Sequence, residues 1–587
     1  MRLMNLTKWA VGLASAGLVM AACSSSGSGG SSTGSSQSVK SGGSITYALD
    51  ENLAGFNINT SAAAEFVLQE VLDQVWPTVF NADQNGTPFL NTELVSSVTQ
   101  TSTNPQTLVY KINPKAKWSD GQPIDAFDFW YNGMIQSGAS SITDIDGKAP
   151  DVASSAGYNQ IKSVTGSDPA NGAACKSDSV TGITGSISCG NGDTVTVTFS
   201  APYADYKALF SPMVPAHEAA KVGWNTGFTD WHTVLSGSWY EISNYVENQY
   251  VVLKKNPSYW GTPGKLDTIT FQIFNGDQQA VPAMQNGEVQ VIQPLELDLA
   301  TVQQANQLTG VTRKLIGGFQ YQHIDFNQSD PYLAMTPVRQ ALAYGTDRKQ
   351  IVARTIGEYD PSIVPLGSRM YVPGQTGYVN NGSAFETVDV AKAKSLLQSA
   401  GMTMGSDGYF QPSSGPQKGQ DLTFTLKSTS GNTLRANIEQ LLQAQWKAIG
   451  VKLEIQNETA STLFGTDLPK GQFQITLFAW VATPFVSANE AIFCSYTNSS
   501  LCGENWNHYA NPQVDKLLTN GAAATSSQSE TNDYNQADKL LWQDMATLPL
   551  FQEPVFTVWS NKYGNIVPNP TNFGIPWNAN LWGLKAS

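Results

Sequence analysis

The chain has 587 residues, of which 33 are basic and 47 acidic, so its formal net charge at pH 7 is −14. This acidic balance argues against nucleic-acid binding, which needs basic surface. A chain of this length is too long for one small core, so we expect two or three lobes. Charged residues make up only 14% of the chain, against about 25% in typical domains, which suits an exported protein.

The first predicted element is a short apolar leader that ends at a cysteine. Two basic residues precede the apolar run Trp9–Met20, and Leu18–Cys23 reads LVMAAC. The run is shorter than the roughly 20 residues that a membrane-spanning helix needs, and it has the regions of a signal peptide. The cysteine resembles the lipobox of bacterial lipoproteins, which predicts a signal peptide over 1–22 and lipidation of Cys23. An ordinary signal peptide with an incidental cysteine is the alternative.

Serine and glycine dominate the stretch that follows. Ser24–Ser44 cannot bury enough apolar surface to fold, so we predict that residues 23–43 are the lipidated cysteine and a flexible tether. The tether should reach about 25 Å. A globular body, residues 44–587, would then be held by its N-terminal lipid at the outer face of a bacterial cell membrane or in the periplasm.

The other four cysteines form two local pairs, Cys175 with Cys189 and Cys494 with Cys502, each around a loop rich in glycine or serine. In an oxidising compartment this pattern favours two disulfides. A zinc site is the rival interpretation. It needs closer cysteine pairs or nearby histidines, and the sequence has neither.

Regular elements begin directly after the tether. Alternating apolar and polar residues predict strands at Ser44–Leu49 and Thr194–Phe199, and a one-sided apolar pattern predicts a helix over Ala62–Val75. These elements belong to the first half of the body.

The second half alternates between helices and strands. Thr336 and Asp389 are each predicted to cap a helix, and a third helix runs from Leu434 to Ile449. Strands are predicted at Val451–Ile455 and Phe473–Trp480. Strands separated by helices at this spacing predict an α/β fold.

Catalytic signatures are absent from the sequence, which has no HExxH, no GxxxxGK[ST] and no GxSxG motif. The four histidines are widely spaced, so we predict no metal site and no cofactor. Paired carboxylates need not be close in sequence, so an exported hydrolase stays as an alternative to a binding protein without catalysis.

Trp480 is the aromatic residue most suited to a ligand site. It ends the predicted strand Phe473–Trp480, in which Phe478 and Trp480 share one face. The ends of strands in α/β folds are common ligand positions. Packing in the core is an equally good interpretation of this tryptophan.

Several motifs, taken together, resemble the extracellular solute-binding proteins, family 5, which are the oligopeptide- and dipeptide-binding components of ABC transporters. The most specific motif is Lys117–Phe129, which reads KWSDGQPIDAFDF. The others follow in the family's order: Asn85–Pro88, Lys255–Trp260, Ala283–Glu288, Val338–Leu342 with Asp347 and Arg348, Ala391–Gly401 and Ile449–Val451.

The resemblance implies a bilobed periplasmic-binding-protein-like fold of type II, with an extra subdomain inserted in the first lobe. The expected segments are 44–78 (lobe I, first segment), 79–200 (inserted subdomain), 201–320 (lobe I, second segment), 321–555 (lobe II) and 556–587 (lobe I, C-terminal segment). The ligand would lie between lobes that close by hinge motion.

The resemblance also places parts of the ligand site. Hinge crossings are expected near Phe319–Asn327 and Phe551–Val558, with Tyr321 and His323 close to the floor of the cleft. In peptide binders of this family the ligand is held mainly through its own backbone, which explains broad specificity.

One departure from the family concerns the ligand's charge. Peptide-binding relatives often carry an aspartate a few residues after the tryptophan matched here by Trp480, and it pairs with the peptide's α-amino group. Here the following residues, which include Thr483, hold no acid, and Glu490 is the next carboxylate. Glu490 or a distant acid is predicted to replace it, or the ligand lacks a free amino terminus.

We therefore predict a monomeric, lipid-anchored receptor that delivers oligopeptides to the permease subunits of an ABC importer with a cytoplasmic ATPase. The candidate ligand-binding residues are Trp480, Phe478, Tyr321, His323, Thr483 and Glu490. An oligosaccharide or a metal chelate is the alternative ligand, and a signalling or adhesion lipoprotein with the same fold is a further alternative.

Overall fold

A computed structural model describes residues 37–139, 141–167, 192–274, 279–295, 297, 299–481, 483–496 and 502–586. The strands, numbered in chain order, are β1 Ser44–Leu49, β2 Phe80–Ala82, β3 Pro88–Leu90, β4 Val95–Thr103, β5 Gln106–Ile112, β6 Ile161–Ser167, β7 Thr194–Phe199, β8 Tyr240–Val246, β9 Tyr250–Lys255, β10 Thr268–Ile273, β11 Val291–Ile292, β12 Val311–Phe326, β13 Met402–Met404, β14 Phe410–Pro412, β15 Thr423–Lys427, β16 Lys452–Ile455, β17 Ile475–Trp480, β18 Thr547–Ser560, β19 Tyr563–Gly564 and β20 Gly583–Leu584.

The helices alternate with these strands through most of the chain. They are α1 Phe66–Leu72, α2 Ala126–Ile135, α3 Ala216–Val222, α4 Ala280–Asn286, α5 Leu299–Gln307, α6 Thr336–Tyr344, α7 Arg348–Arg354, α8 Val390–Ser399, α9 Thr433–Ala448, α10 Ala460–Thr462, α11 Glu490–Phe493, α12 Pro512–Ala522 and α13 Ser527–Asp544. Within the described residues, no helix has the length and apolar character needed to span a membrane.

One large mixed sheet runs through the body in the order β16-β15-β17-β12-β18-β11-β1-β10-β9-β8. A separate four-stranded sheet, in the order β4-β5-β7-β6, is built from residues between 95 and 199, within the segment expected to form the inserted subdomain. The expected segment boundaries themselves stay a prediction.

Two large hydrophobic cores give the fold its bilobed character. The first core is built mainly from residues between 45 and 273 and from the C-terminal residues 559–582. The second is built almost wholly from residues between 280 and 558. This arrangement agrees with the predicted α/β, two-lobed fold of type II.

The long antiparallel strands β12 and β18 connect the two halves of the large sheet. Their register shifts between Gly317 and Tyr321, which marks an irregularity in the ladder. A Cβ atom on Gly318 would lie 2.6 Å from the carbonyl oxygen of Glu553, so only glycine fits this close approach. The irregularity lies at the start of the segment predicted to hold a hinge crossing.

The predicted elements differ from the observed ones mainly at their ends. Strands β1 and β7 are confirmed, and Asp389 caps α8 by accepting a hydrogen bond from the Lys392 amide. The helix predicted over Ala62–Val75 is shorter, at Phe66–Leu72. Thr336 is the first residue of α6 rather than its cap, because Pro337 lacks an amide donor and fits anywhere in the first turn.

Candidate functional site

The main cavity of the described residues is a cleft of about 1860 Å³ lined by both halves of the fold. Typical pockets for small ligands hold about 300–1,000 Å³, so this cleft has room for a larger molecule. The segment between β1 and α1, residues 50–65, contributes one wall together with Phe66 and Gln69 of α1. Residues 429–435, the end of β17 and residues 502–508 contribute to the other wall.

Strand β17 positions the aromatic part of the second wall. It pairs antiparallel with β12, so that Trp480 lies opposite Tyr321 and Phe478 opposite His323. The ring of Trp480 stacks on that of Trp506 at 5.3 Å between centroids and 25° between planes. Because these rings pack on one another as well as on the strand, they give this wall of the cleft an ordered aromatic surface.

Four of the six predicted ligand residues line the cleft: Tyr321, Phe478, Trp480 and Thr483. Their role in binding stays a prediction. The Thr483 hydroxyl accepts a hydrogen bond from the Phe485 amide and donates one to the Phe485 carbonyl oxygen, which holds the loop that follows β17.

His323 does not line the cleft, and its side chain is 1% exposed. Its ring lies 4.3 Å from the Phe478 centroid and 5.8 Å from that of Trp480, so these two larger rings cover it. Its Nε2 atom lies 3.4 Å from a carboxylate oxygen of Asp325. In this structure His323 supports the aromatic wall from behind.

Glu490 is also outside the lining of the cleft. It begins α11, which packs against α12, and its carboxylate accepts a hydrogen bond of 3.2 Å from the Thr519 hydroxyl of that helix. Burial raises the pKa of Glu490 to about 7. The carboxylate is therefore directed towards α12 and is not part of the cleft lining.

The Sγ atoms of Cys494 and Cys502 are bonded as a disulfide, whereas Cys175, Cys189 and Cys23 lie outside the described residues. Directly after this disulfide, the Glu504 amide donates to the Ala491 carbonyl and the Asn505 amide donates to that of Cys502. These bonds fix the segment that carries Trp506 into the cleft.

Sequence reasoning missed the carboxylates and arginines of the cleft, which are Asp50, Glu51, Glu65, Asp151, Arg369, Arg435 and Glu504. Asp50 and Glu51 directly follow strand β1, and a strand end was the signal that could have found them. Among the described residues, no group of three or more histidine, cysteine, aspartate or glutamate side chains is placed to hold a metal ion.

Comparison with known proteins identifies the family. The family model for "Bacterial extracellular solute-binding proteins, family 5 Middle" matches residues 90–499. The oligopeptide-binding protein OppA of Mycobacterium tuberculosis H37Rv is 29% identical over 528 residues, which cover 88% of this chain and 81% of that protein. OppA of Bacillus subtilis is 24% identical over 569 residues, or 94% and 95% of the two chains.

Solved structures share the fold. The periplasmic EDTA-binding protein EppA superposes with a TM-score of 0.81 at 25% identity, over 94% of this chain and 98% of that one. The oligopeptide-binding protein AppA of Bacillus subtilis, in complex with a nonapeptide, superposes with a TM-score of 0.78 at 18% identity, over 94% of this chain and 100% of that one. With the family match over most of its length, the chain belongs to the bacterial extracellular solute-binding proteins, family 5.

Proposed function

We propose that this protein captures oligopeptides outside the cytoplasm and delivers them to the permease of an ABC importer. The observation that carries this proposal is the cleft of about 1860 Å³ between the two halves of the fold, with an aromatic wall and polar side chains in its lining. Such a site suits an extended ligand with a repeated backbone and varied side chains. The relatives named as oligopeptide-binding proteins support the same ligand class.

Closure of the cleft would occur by rotation about β12 and β18, which join the halves of the large sheet. Contacts across the cleft already exist in this structure. The Tyr203 hydroxyl lies 2.8 Å from that of Ser487, and the Ser487 amide donates to Asp205. These bonds would stabilise the closed form when a ligand fills the space between the lobes.

Attachment through a lipid on Cys23 belongs to the same proposal. The leader sequence and the serine- and glycine-rich tether support it. A receptor held near the membrane stays close to its permease and to the cytoplasmic ATPase that drives import.

A metal chelate is the second candidate ligand. It is favoured by the similarity to EppA, a protein named for EDTA binding, at 25% identity over nearly the whole chain. A polyanionic chelate needs basic groups in its site, and the cleft of this chain offers few.

Thermal-shift screening of residues 38–587, which form one compact unit, separates these candidates. The panel contains di- to octapeptides, their N-acetylated forms, oligosaccharides and Fe(III)-EDTA. A ligand at 100 times its dissociation constant adds about 2.7 kcal/mol to the free energy of unfolding, so we expect peptides to raise the melting temperature clearly. Stabilisation by chelates or sugars alone would contradict the peptide proposal.

A further inference from the structure

The described residues that line the cleft carry an excess of negative charge. Five are carboxylic acids and two are arginines: Asp50, Glu51, Glu65, Asp151, Glu504, Arg369 and Arg435. The guanidinium group of Arg369 pairs with Asp538 within the protein. That of Arg435 lies among the carboxyl groups of Glu553, Glu51 and Glu439. Arg369 is therefore neutralised by a residue outside the cleft lining, and Arg435, shared among three carboxyl groups, offsets only part of the charge of the cleft acids.

Glu504 is the carboxylate of the second wall. No described residue forms a hydrogen bond or ion pair with its side chain. Burial raises the pKa of this carboxyl group to about 7. Its neighbour Trp506 stacks on Trp480, so a carboxylate and two indole rings lie on the same wall. Aromatic faces and carboxylates both attract an ammonium or guanidinium group.

Glu51 is the corresponding carboxylate of the first wall. The Leu295 amide donates to Asp50 and the Ala54 amide donates to Glu65, whereas no described residue donates a hydrogen bond to Glu51. Burial and the two neighbouring acids raise the pKa of Glu51 to about 8, against the opposing effect of Arg435. A bound cation would relieve the repulsion among these three carboxyl groups.

A third, uncharged group also lacks a partner inside the cleft. Tyr321 lines the cleft and is 2% exposed, and its phenolic oxygen has no hydrogen-bond partner among the described residues. A buried hydroxyl without a partner costs free energy. A polar ligand group that reaches this oxygen would satisfy it.

We propose that the cleft selects cationic ligands, with Glu504 and Glu51 as specificity-determining carboxylates that pair with ammonium or guanidinium groups of the ligand. The proposal rests on the proposed peptide function for the form of the ligand. The cation can come from the α-amino group of a peptide or from a lysine or arginine side chain, and the chemistry of recognition is the same for both.

Isothermal titration of residues 38–587 with alanine hexapeptides tests the proposal. The third position of the peptide is lysine, norleucine or glutamate, and each peptide is used with a free and an acetylated amino terminus. We expect the fully charged lysine peptide to bind most tightly. Replacing lysine by norleucine and acetylating the amino terminus should each weaken binding about tenfold. This is the contribution expected from one hydrogen bond to a charged group. The charge whose removal no longer weakens binding to the Glu504→Gln variant is the one that Glu504 binds.

Glu504→Gln and Glu51→Gln identify the carboxylates responsible, and Glu530→Gln on α13, outside the cleft lining, is the matched control. Each of the first two variants should lower the preference for cationic over neutral peptides about tenfold, while the control keeps it. Equal affinity for lysine, norleucine and glutamate peptides would overturn the inference and leave the peptide function intact. The inference is also overturned, with the peptide function left intact, if both Glu504→Gln and Glu51→Gln keep the wild-type preference for cationic peptides.

Spermidine and Fe(III)-EDTA separate the charge preference from the peptide function. If no hexapeptide binds but spermidine binds and Glu504→Gln weakens it tenfold, the cation site is supported and the peptide function fails. Binding of Fe(III)-EDTA without peptide or spermidine would overturn both.

The affinity for a cation should also depend on pH. A bound cation favours the ionised form of a carboxyl group. Binding therefore releases protons at every pH at which Glu504 and Glu51 are protonated in the free protein. The affinity for the acetylated lysine peptide should therefore rise about tenfold between pH 6.5 and 8.5, where the lysine stays charged. Burial lowers the pKa of His508, which also lines the cleft. The norleucine peptide is the control, and a flat profile for the lysine peptide would contradict the inference.

Discussion

Replacing Trp480 by alanine is expected to weaken the binding of the lysine-containing hexapeptide roughly 30-fold or more. Trp480 lines the cleft and stacks on Trp506, while His323 supports its ring from behind. Large aromatic residues in such packed positions are typical hot spots, which cost about 2 kcal/mol or more when they are truncated. The measurement is isothermal titration of the variant beside the wild-type protein.

Trp231→Ala is the matched control for this truncation. Trp231 is a partly buried tryptophan that stacks on His232 and does not line the cleft. Its loss should leave peptide affinity within a factor of about two, while circular dichroism verifies that both variants are folded. An affinity of Trp480→Ala within threefold of the wild type would show that the aromatic wall does not contact the ligand.

Local patterns were sufficient to predict much of the fold. Strands β1 and β7 follow directly from residue alternation, α8 begins after the predicted cap Asp389, and α9 lies where the apolar pattern predicted a helix. The two faces of β17 were also predictable, because successive side chains on a strand point to opposite sides. These features depend on neighbouring residues, so a single sequence contains the information.

The charged part of the site could not be predicted in the same way. Glu51 and Glu504 are more than 400 positions apart in the chain, and only the tertiary fold places both on the walls of one cleft. Glu490 was chosen because it is the first acid after Trp480, yet α11 directs its carboxylate to Thr519. His323 shares a strand face with Tyr321, but the rings of Phe478 and Trp480 cover it.

Replacing Asp538 by alanine is expected to lower the free energy of unfolding by about 3–5 kcal/mol, the typical cost of leaving a buried charge without its partner. Asp538 and Arg369 are both 0% exposed at their side chains and lie 3.2 Å apart. The Asn381 amide group also donates to Asp538 at 2.7 Å. Urea-induced unfolding followed by tryptophan fluorescence gives the shift in midpoint.

The double variant Arg369→Met with Asp538→Leu shows whether the loss comes from the unpaired charge. Burial raises the pKa of Asp538 and lowers that of Arg369 although the two attract each other, so the removal of both from water costs more than their attraction returns. Apolar side chains of similar volume should therefore recover most of the stability lost in Asp538→Ala. If the double variant is as unstable as the single one, the pair stabilises the fold through its hydrogen bonds to Thr547 and Asn381 rather than through charge compensation.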